Sequence, residues 1–395
     1  MSKINFKSIS IIGGAGHVGL PLGLSLAQKK FNVNLIDINK KNLRKIQKGL
    51  MPHKEINAEK ILKRCLKFKK ISISTNLDKI QNSKFVIVCI GTPINKNLKP
   101  ETRKFINFIK ILKKKINKNT ILIIRSSIYP GMIEKIEKIL KSKNKNIVYC
   151  PERIVQGHAL EELPKLPQII ASNNFNAKKN TKKIFSKICQ KIIETSVLEA
   201  ELIKLFSNAN RYINFAIANQ LYLVCNENNL SFKKIRDIMR DGYERNVNLS
   251  LSGLTGGPCL LKDTMQLSSF YKDKFSLGLS AMKINESFPD HIIKEIKKVK
   301  NFKRKTIGIL GMAFKGQSDD IRDSLAIKLI YKLKARKLKY CHSDEFYKNE
   351  KNIDKKSLVK KSDIIVLGAP HIAYKKLNIS RKKNLIDVWG FFSNR

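Results

Sequence analysis

The segment GGPCLLKDTMQL, residues 256–267, sets a cysteine directly behind Gly256, Gly257 and Pro258, with Lys262 and Asp263 three and four residues beyond it. A glycine turn lets a ligand approach the backbone closely, and a cation near a thiol favours the thiolate. Cys259 in that setting suits a nucleophile, although a free cysteine packed as a small apolar side chain is the plainer reading. Gly14, Gly16 and Gly19 form GxGxxG between an apolar run and a helical pattern. That context supplies a tight turn, close backbone approach and a helix N-terminus for the pyrophosphate of a dinucleotide. Asp37 follows the next strand, 18 residues beyond Gly19. A carboxylate there bonds the ribose hydroxyls and repels a 2′-phosphate, so NAD is expected over NADP, with Lys40 and Lys41 close enough to blur the preference. Lys204, Asn208 and Arg211 fall at i, i+4 and i+7, on one helix face. They form either a functional stripe or simply the wet side of the helix. Glu152, in YCPERI, stands at the end of an expected strand, where sites in open α/β sheets collect; an ordinary surface carboxylate is the alternative.

Elements able to position these groups are legible in the chain. SISIIGGAGHVGLPLGLSLAQKKFNVNLIDI reads as strand, turn, helix, strand, and KFVIVCIGTP, NTILIIRSS and NIVYC continue the alternation. From about residue 198, EAELIKLFSNANRYINFAIANQLYLVCNENN is one long helical pattern without internal Gly or Pro. Strand–turn–helix alternation returns at KRKTIGILGMAFKG, with SDIIVLGAP and NLIDVWGFF as later strands. The expected fold is α/β: two Rossmann-like parallel-sheet domains, residues 1–198 and 301–395, joined by a central helical domain, residues 199–300.

At 395 residues and 42% hydrophobic content, the chain is large enough for more than one core. Its seven cysteines are scattered without a CxxC pair, which argues for free thiols in a reducing compartment and against a disulfide scaffold or metal site. Cleavage of a leader within MSKINFKSISIIGGAGHVG would destroy the glycine motif, and no apolar stretch approaches the roughly 18 residues that span a bilayer. A cytoplasmic protein is expected. The formal charge of +48 invites a nucleic-acid reading, but the lysines are dispersed. In and just before NFIKILKKKINKN, Phe105, Phe108, Ile109, Leu112 and Ile116 keep helical spacing while lysines take the other face. A solvated basic surface that attracts small phosphorylated anions is favoured, with no specific nucleic acid and no membrane as partners.

Taken together, GAGHVGLPLGLSLA, IGTP, RSSIYPG, PERIVQGHALEEL, AELIKLFSNANRYINFAIANQ, GGPCLLKDTMQL, GMAFKGQSDDIRDS and GAPH resemble the UDP-glucose/GDP-mannose dehydrogenase family, the NAD-dependent nucleotide-sugar 6-dehydrogenases, over nearly the whole chain. The resemblance implies that residues 1–198 bind NAD, 199–300 form a homodimer and 301–395 bind the nucleotide sugar. It implies oxidation of the sugar C6 alcohol to a uronate in two steps, with a thiohemiacetal and then a thioester on Cys259, in the service of surface polysaccharide synthesis. Lys204 and Asn208 would stabilise oxyanion charge, Asp263 with Lys204 would move protons, and Glu152 would activate the hydrolytic water. Gly14, Gly16, His17, Val18, Gly19, Asp37, Thr92, Ser127, Lys262 and Arg322 would contact NAD. Glu152, Arg153, Lys204, Asn208, Gly256, Lys315 and the segment 248–252 would contact the sugar nucleotide, and Arg245 would reach across the dimer.

The chain departs from the family pattern in places. Ser126-Ser127 stands for a Ser-Thr pair, Gln156 for Pro or Glu, Gln168 for an arginine and Ala171-Ser172 for a glycine pair, and NLSLSGLTGGPC lacks a Pro-Gly-Pro-Gly run. PERI…G.AL.EL leans toward the UDP-N-acetylhexosamine branch. The rival enzyme reading is a β-hydroxyacid or 6-phosphogluconate-type dehydrogenase, which transfers one hydride and has no need of Cys259. The rival outside enzymes is a basic nucleic-acid-binding protein.

Overall fold

The computed structural model describes residues 7–95 and 98–392, so the first six residues of the N-terminal stretch lie outside it. The chain divides into two compact units, Met1–Phe206 and Ser207–Arg395.

In the first unit, β1 (Ser8–Ile12), β2 (Asn32–Ile36), β3 (Ile71–Ser74), β4 (Phe85–Val88), β5 (Ile121–Ile124) and β6 (Ile147–Tyr149) pair in parallel in the order β3-β2-β1-β4-β5-β6. This is the doubly wound order, whose switch point lies between β1 and β4. FVIV in β4 and ILII in β5 are buried at every residue, as strands covered on both faces must be. Alternate residues enter different cores. Ile9, Ile11, Ile87 and Ile123 pack with Leu20, Leu22 and Leu24 of the helix Gly19–Gln28. Val86, Val88, Leu122 and Ile124 pack with Phe105, Ile109 and Leu112 of the helix Thr102–Lys115, whose lysines crowd its last turn. A separate parallel pair joins β7 (Gln168–Ile170) to β8 (Ile192–Glu194).

The helix Val197–Glu227 runs 31 residues, as the uninterrupted pattern predicts. Its start is a capping box: the Ser196 hydroxyl accepts from Glu199 N–H at 3.4 Å, and the Glu199 carboxylate accepts from Ser196 N–H at 2.9 Å. The second unit continues with the helices Phe232–Arg240, Leu260–Tyr271 and Ser276–Lys298. It then builds β9 (Ile307–Leu310), β10 (Tyr340–Ser343), β11 (Ile364–Leu367) and β12 (Asn384–Ile386), parallel in the order β10-β9-β11-β12. The α/β class with two parallel sheets and a helical region between them in sequence is therefore as expected. The expected strands omit β3, β7, β8 and β10. Each is three or four residues long, and none of ISIS, QII, IIE and YCHS forms a long apolar run. Among the described residues no helix is long and apolar enough to cross a membrane, and no group of acidic, His and Cys side chains is arranged to hold a metal.

Candidate active site

The glycine motif sits at the carboxyl end of β1, on the switch point of the first sheet. The tight turn is made by Gly13, which the GxGxxG spacing does not include. Its φ is +81°, and a Cβ there would lie 2.7 Å from the Cys89 carbonyl oxygen at the end of β4. At Gly19 a Cβ would fall 2.2 Å from the Gly13 carbonyl oxygen, which explains why helix and turn pack so closely. Gly16, His17 and Val18 are partly exposed ahead of the helix Gly19–Gln28, which carries no acidic residue in its first turn. A cradle of this shape at an unopposed helix N-terminus fits a dinucleotide pyrophosphate. Asp37 braces it. One carboxylate oxygen accepts from Ala15 N–H at 3.0 Å and the other from Asn39 N–H at 2.9 Å.

Thr92 and Ser127, expected near the cofactor, come together at the carboxyl ends of β4 and β5, where the Thr92 hydroxyl donates to the Ser127 carbonyl. Glu152, just past β6, is almost enclosed. One of its oxygens accepts from the guanidinium of Arg125, whose side chain is fully buried, and the other accepts from Arg153 and Ile154 N–H at 2.7 and 3.0 Å. Arg125 also donates to Gln168 Oε1 at 2.9 Å and to the Cys150 carbonyl at 3.3 Å, and it stacks over Phe185. A glutamine at 168 thus supplies an acceptor where an arginine would set two cations together. The guanidinium of Arg153 donates to the Pro167 carbonyl at 2.6 Å. Lys204 is half-buried on the helix Val197–Glu227.

In the second unit, Cys259 is the N-cap of the helix Leu260–Tyr271 and is exposed, whereas Cys65, Cys150, Cys189 and Cys225 are buried. Desolvation pushes the Cys89 and Cys150 thiols up to about 12, which disfavours their thiolates. Asp263, one turn beyond Cys259, is fully buried, and its carboxylate accepts from Asn208 Nδ2 at 2.6 Å and pairs with Lys262 Nζ at 3.0 Å. The stripe 204, 208, 211 therefore divides: Asn208 is buried against Asp263, and Arg211 is exposed. Arg322 adds a cation beside the thiol. Its two-pronged bond to Asp320, at 2.9 and 2.6 Å, together with the nearby Cys259, favours its charged form.

Gly257, at φ +102°, backs the thiol turn; a Cβ there would meet the Phe314 ring at 2.5 Å. Gly256 is packed against the Asp323 carbonyl, which would lie 2.6 Å from any Cβ. Upstream, Arg236 Nε donates to the carbonyls of Leu249 and Ser250 at 2.8 and 3.1 Å, so the segment 248–252 is held from the helix Phe232–Arg240. Lys315 lies on the loop after β9, with its ammonium 5.9 Å from the centre of the Phe314 ring. Arg245 is exposed and stacks over Tyr243.

Comparison with known proteins finds relatives along nearly the whole chain. Three models of the UDP-glucose/GDP-mannose dehydrogenase family match in succession: the NAD binding domain at residues 7–189, the central domain at 198–287 and the UDP binding domain at 308–394. The chain belongs to this family. A UDP-N-acetyl-D-mannosamine dehydrogenase from Pyrococcus horikoshii is 26% identical over 378 residues, covering 92% of this chain and 90% of that protein. A UDP-glucose 6-dehydrogenase from Rickettsia felis is 25% identical over 394 residues, covering 92% and 87%. The solved structure of the Pyrococcus horikoshii UDP-D-ManNAc dehydrogenase superposes with a TM-score of 0.87 at 25% identity, covering 96% of this chain and 94% of that one. Family membership makes this an NAD-dependent nucleotide-sugar dehydrogenase.

Several polar residues that brace the expected site residues, or the loops near them, carry no sequence signal. His53 lies 4.1 Å, ring centre to ring centre, from His17 of the glycine turn, from a loop without regular spacing. The Glu55 carboxylate accepts from Gly157 and Leu160 N–H at 3.2 and 3.1 Å and so fixes the loop after Glu152. Asn219 and Asn285, both fully buried, bond to each other at 2.9 Å, and Asn219 accepts from Gly253 N–H at 2.9 Å. Each sits in a stretch that reads as helix, and only a tertiary partner reveals it.

Proposed function

We propose that this enzyme oxidises the C6 alcohol of a UDP-N-acetylhexosamine to the uronate in two successive steps. The observation that carries the reading is the placement of Cys259: an exposed thiol at the N-terminus of a helix whose next turn holds the buried Asp263–Asn208 contact. The Gly13–Gly19 turn, Asp37, Thr92, Ser127, Lys262 and Arg322 would hold NAD, which would supply the hydride acceptor for each oxidation.

In the first oxidation the Asp263 carboxylate takes the hydroxyl proton and Lys204 stabilises the alkoxide oxygen as the C6 aldehyde forms. The Cys259 thiolate then adds to the aldehyde carbon, forming a C–S bond and a thiohemiacetal oxygen that Lys204 and Asn208 stabilise. Loss of the C6 hydrogen with its electron pair leaves a thioester. Water, oriented by Glu152, breaks the C–S bond, releasing the carboxylate and restoring the thiol. Lys315, Gly256, Arg153 and the segment 248–252 hold the nucleotide sugar. Two copies of the chain join through the central helices, and Arg245 of each reaches the other's site. The product enters surface polysaccharide, and the enzyme works in the cytoplasm.

Similarity to the UDP-N-acetyl-D-mannosamine dehydrogenase of Pyrococcus horikoshii and to further UDP-N-acetyl-D-mannosamine dehydrogenases supports the N-acetylated sugar, as does PERI…G.AL.EL. The test incubates the enzyme with NAD and a panel of UDP- and GDP-sugars and reads NADH absorbance with substrate limiting. Two NADH per sugar and a uronate are expected. One NADH with a ketone or aldehyde as product transfers the enzyme to the β-hydroxyacid class.

A further inference from the structure

The second sheet holds a buried polar cluster outside the residues assigned so far. Asp344 follows β10 and His371 follows β11, and both side chains are fully buried. His371 Nε2 lies 3.1 Å from Asp344 Oδ2, while His371 Nδ1 accepts from the backbone N–H of Gln317 at 3.0 Å. An Nδ1 that accepts has no proton, so the ring is in its Nε2–H form and donates to the carboxylate. Asp344 Oδ2 also accepts from Met312 and Ala313 N–H at 2.6 and 3.1 Å, and Oδ1 accepts from Phe346 and Tyr347 N–H, each at 2.8 Å. Phe346 and Tyr374 meet the imidazole edge-on at 5.1 and 5.3 Å and fix its plane.

These contacts converge on the loop 311–317 at the carboxyl end of β9. Asp344 grips its beginning, at Met312 and Ala313, and His371 grips its end, at Gln317. Gln317 needs the grip, because its φ is +60°, a conformation costly for a residue with a Cβ. Its side chain returns the tie by accepting from Ile372 N–H at 2.9 Å. Between the two anchors lie Phe314, whose ring fills the space over Gly257, and Lys315. One imidazole–carboxylate pair thus ties down both ends of the loop that carries Lys315 and Phe314, the ring that backs the turn before Cys259.

We propose that His371 and Asp344 are positioning residues for the nucleotide-sugar site, holding the loop 311–317 so that Lys315 meets the sugar nucleotide; this rests on the assignment of Lys315 to that substrate. Loss of one such buried bond predicts a rise in KM for the nucleotide sugar on the order of tenfold. The KM for NAD should not move.

The test compares the unmodified enzyme with His371→Ala, His371→Gln and Lys315→Ala, by steady-state kinetics and by hydrogen exchange of the peptide spanning 311–317. His371→Ala should speed exchange in that peptide and raise the sugar KM. His371→Gln, whose amide can donate to Asp344 and accept from Gln317, should restore most of both. His371→Asn keeps reach to one partner only, stands in where the alanine variant does not fold, and should fall between. Slow exchange persisting in His371→Ala or His371→Asn overturns the proposal whatever Lys315 does. A sugar KM indifferent to Lys315→Ala, with exchange in the His371 variants quickened, overturns instead the assignment of the loop to the substrate.

Discussion

Asn208 Nδ2 donates to Asp263 Oδ2 at 2.6 Å, so the long helix Val197–Glu227 and the helix that begins beside Cys259 are joined by a buried polar contact. Asn208→Ala leaves the carboxylate short of a donor. A cost of about 1–3 kcal/mol is expected and is read from the denaturant midpoint. Asp263→Asn keeps an acceptor for Asn208 but gives up the charge that pairs with Lys262, so some loss of stability should accompany a fall in turnover of roughly 10²–10⁴. Near-normal turnover in Asp263→Asn would remove Asp263 from proton transfer.

Cys259→Ala should abolish uronate formation while NAD and sugar-nucleotide binding persist, because the change trims one exposed side chain. Cys259→Ser is the sharper variant. Its hydroxyl can still add to the aldehyde, and the resulting ester hydrolyses more slowly than a thioester, so a sugar adduct should be visible by intact mass. Cys65→Ala, Cys89→Ala, Cys189→Ala and Cys225→Ala should keep turnover. Uronate formation at a near-normal rate in Cys259→Ala would make the thiol a packing residue.

Asp37 has two duties that substitution can separate. Asp37→Ala should narrow the preference for NAD over NADP and raise the NAD KM, since the carboxylate also accepts from Ala15 N–H in the glycine turn. Asp37→Asn keeps an acceptor for that N–H but loses the charge, so it should relax cofactor choice with a smaller change in NAD KM. Equal use of both cofactors by the unmodified enzyme would show that Lys40 and Lys41 govern the choice.

Glu55 gives a pH signature. Burial pushes its carboxyl above the ordinary value of 4.5, against the lowering effect of the Leu160 and Gly157 N–H bonds. A raised folded-state value means that the folded protein holds the proton more tightly than the unfolded chain. The stabilisation is complete below pH 4.5 and fades as pH rises through the folded value. Glu55→Gln should flatten the fall of stability with pH just above 4.5, measured by denaturant titration. An unchanged slope would show that Glu55 is not the group responsible.

What the sequence alone determined is what local pattern can carry. GxGxxG after SISII, Asp37 after the next strand, FVIV and ILII as strands buried on both faces, and the unbroken run from residue 198 each fix an element or a motif through periodicity and turn chemistry. The order of motifs carried the family in the same way. The tertiary structure decided which polar side chains face one another. Asp263 and Asn208 are 55 residues apart in sequence, Arg125 and Glu152 27, and Asp344 and His371 27. A buried donor or acceptor takes its meaning from the partner that satisfies it, and that partner is chosen by how elements pack. Gly13 marks the boundary between the two kinds of information. The spacing of Gly14, Gly16 and Gly19 announced a turn, but only the approach of the Cys89 carbonyl showed which glycine makes it.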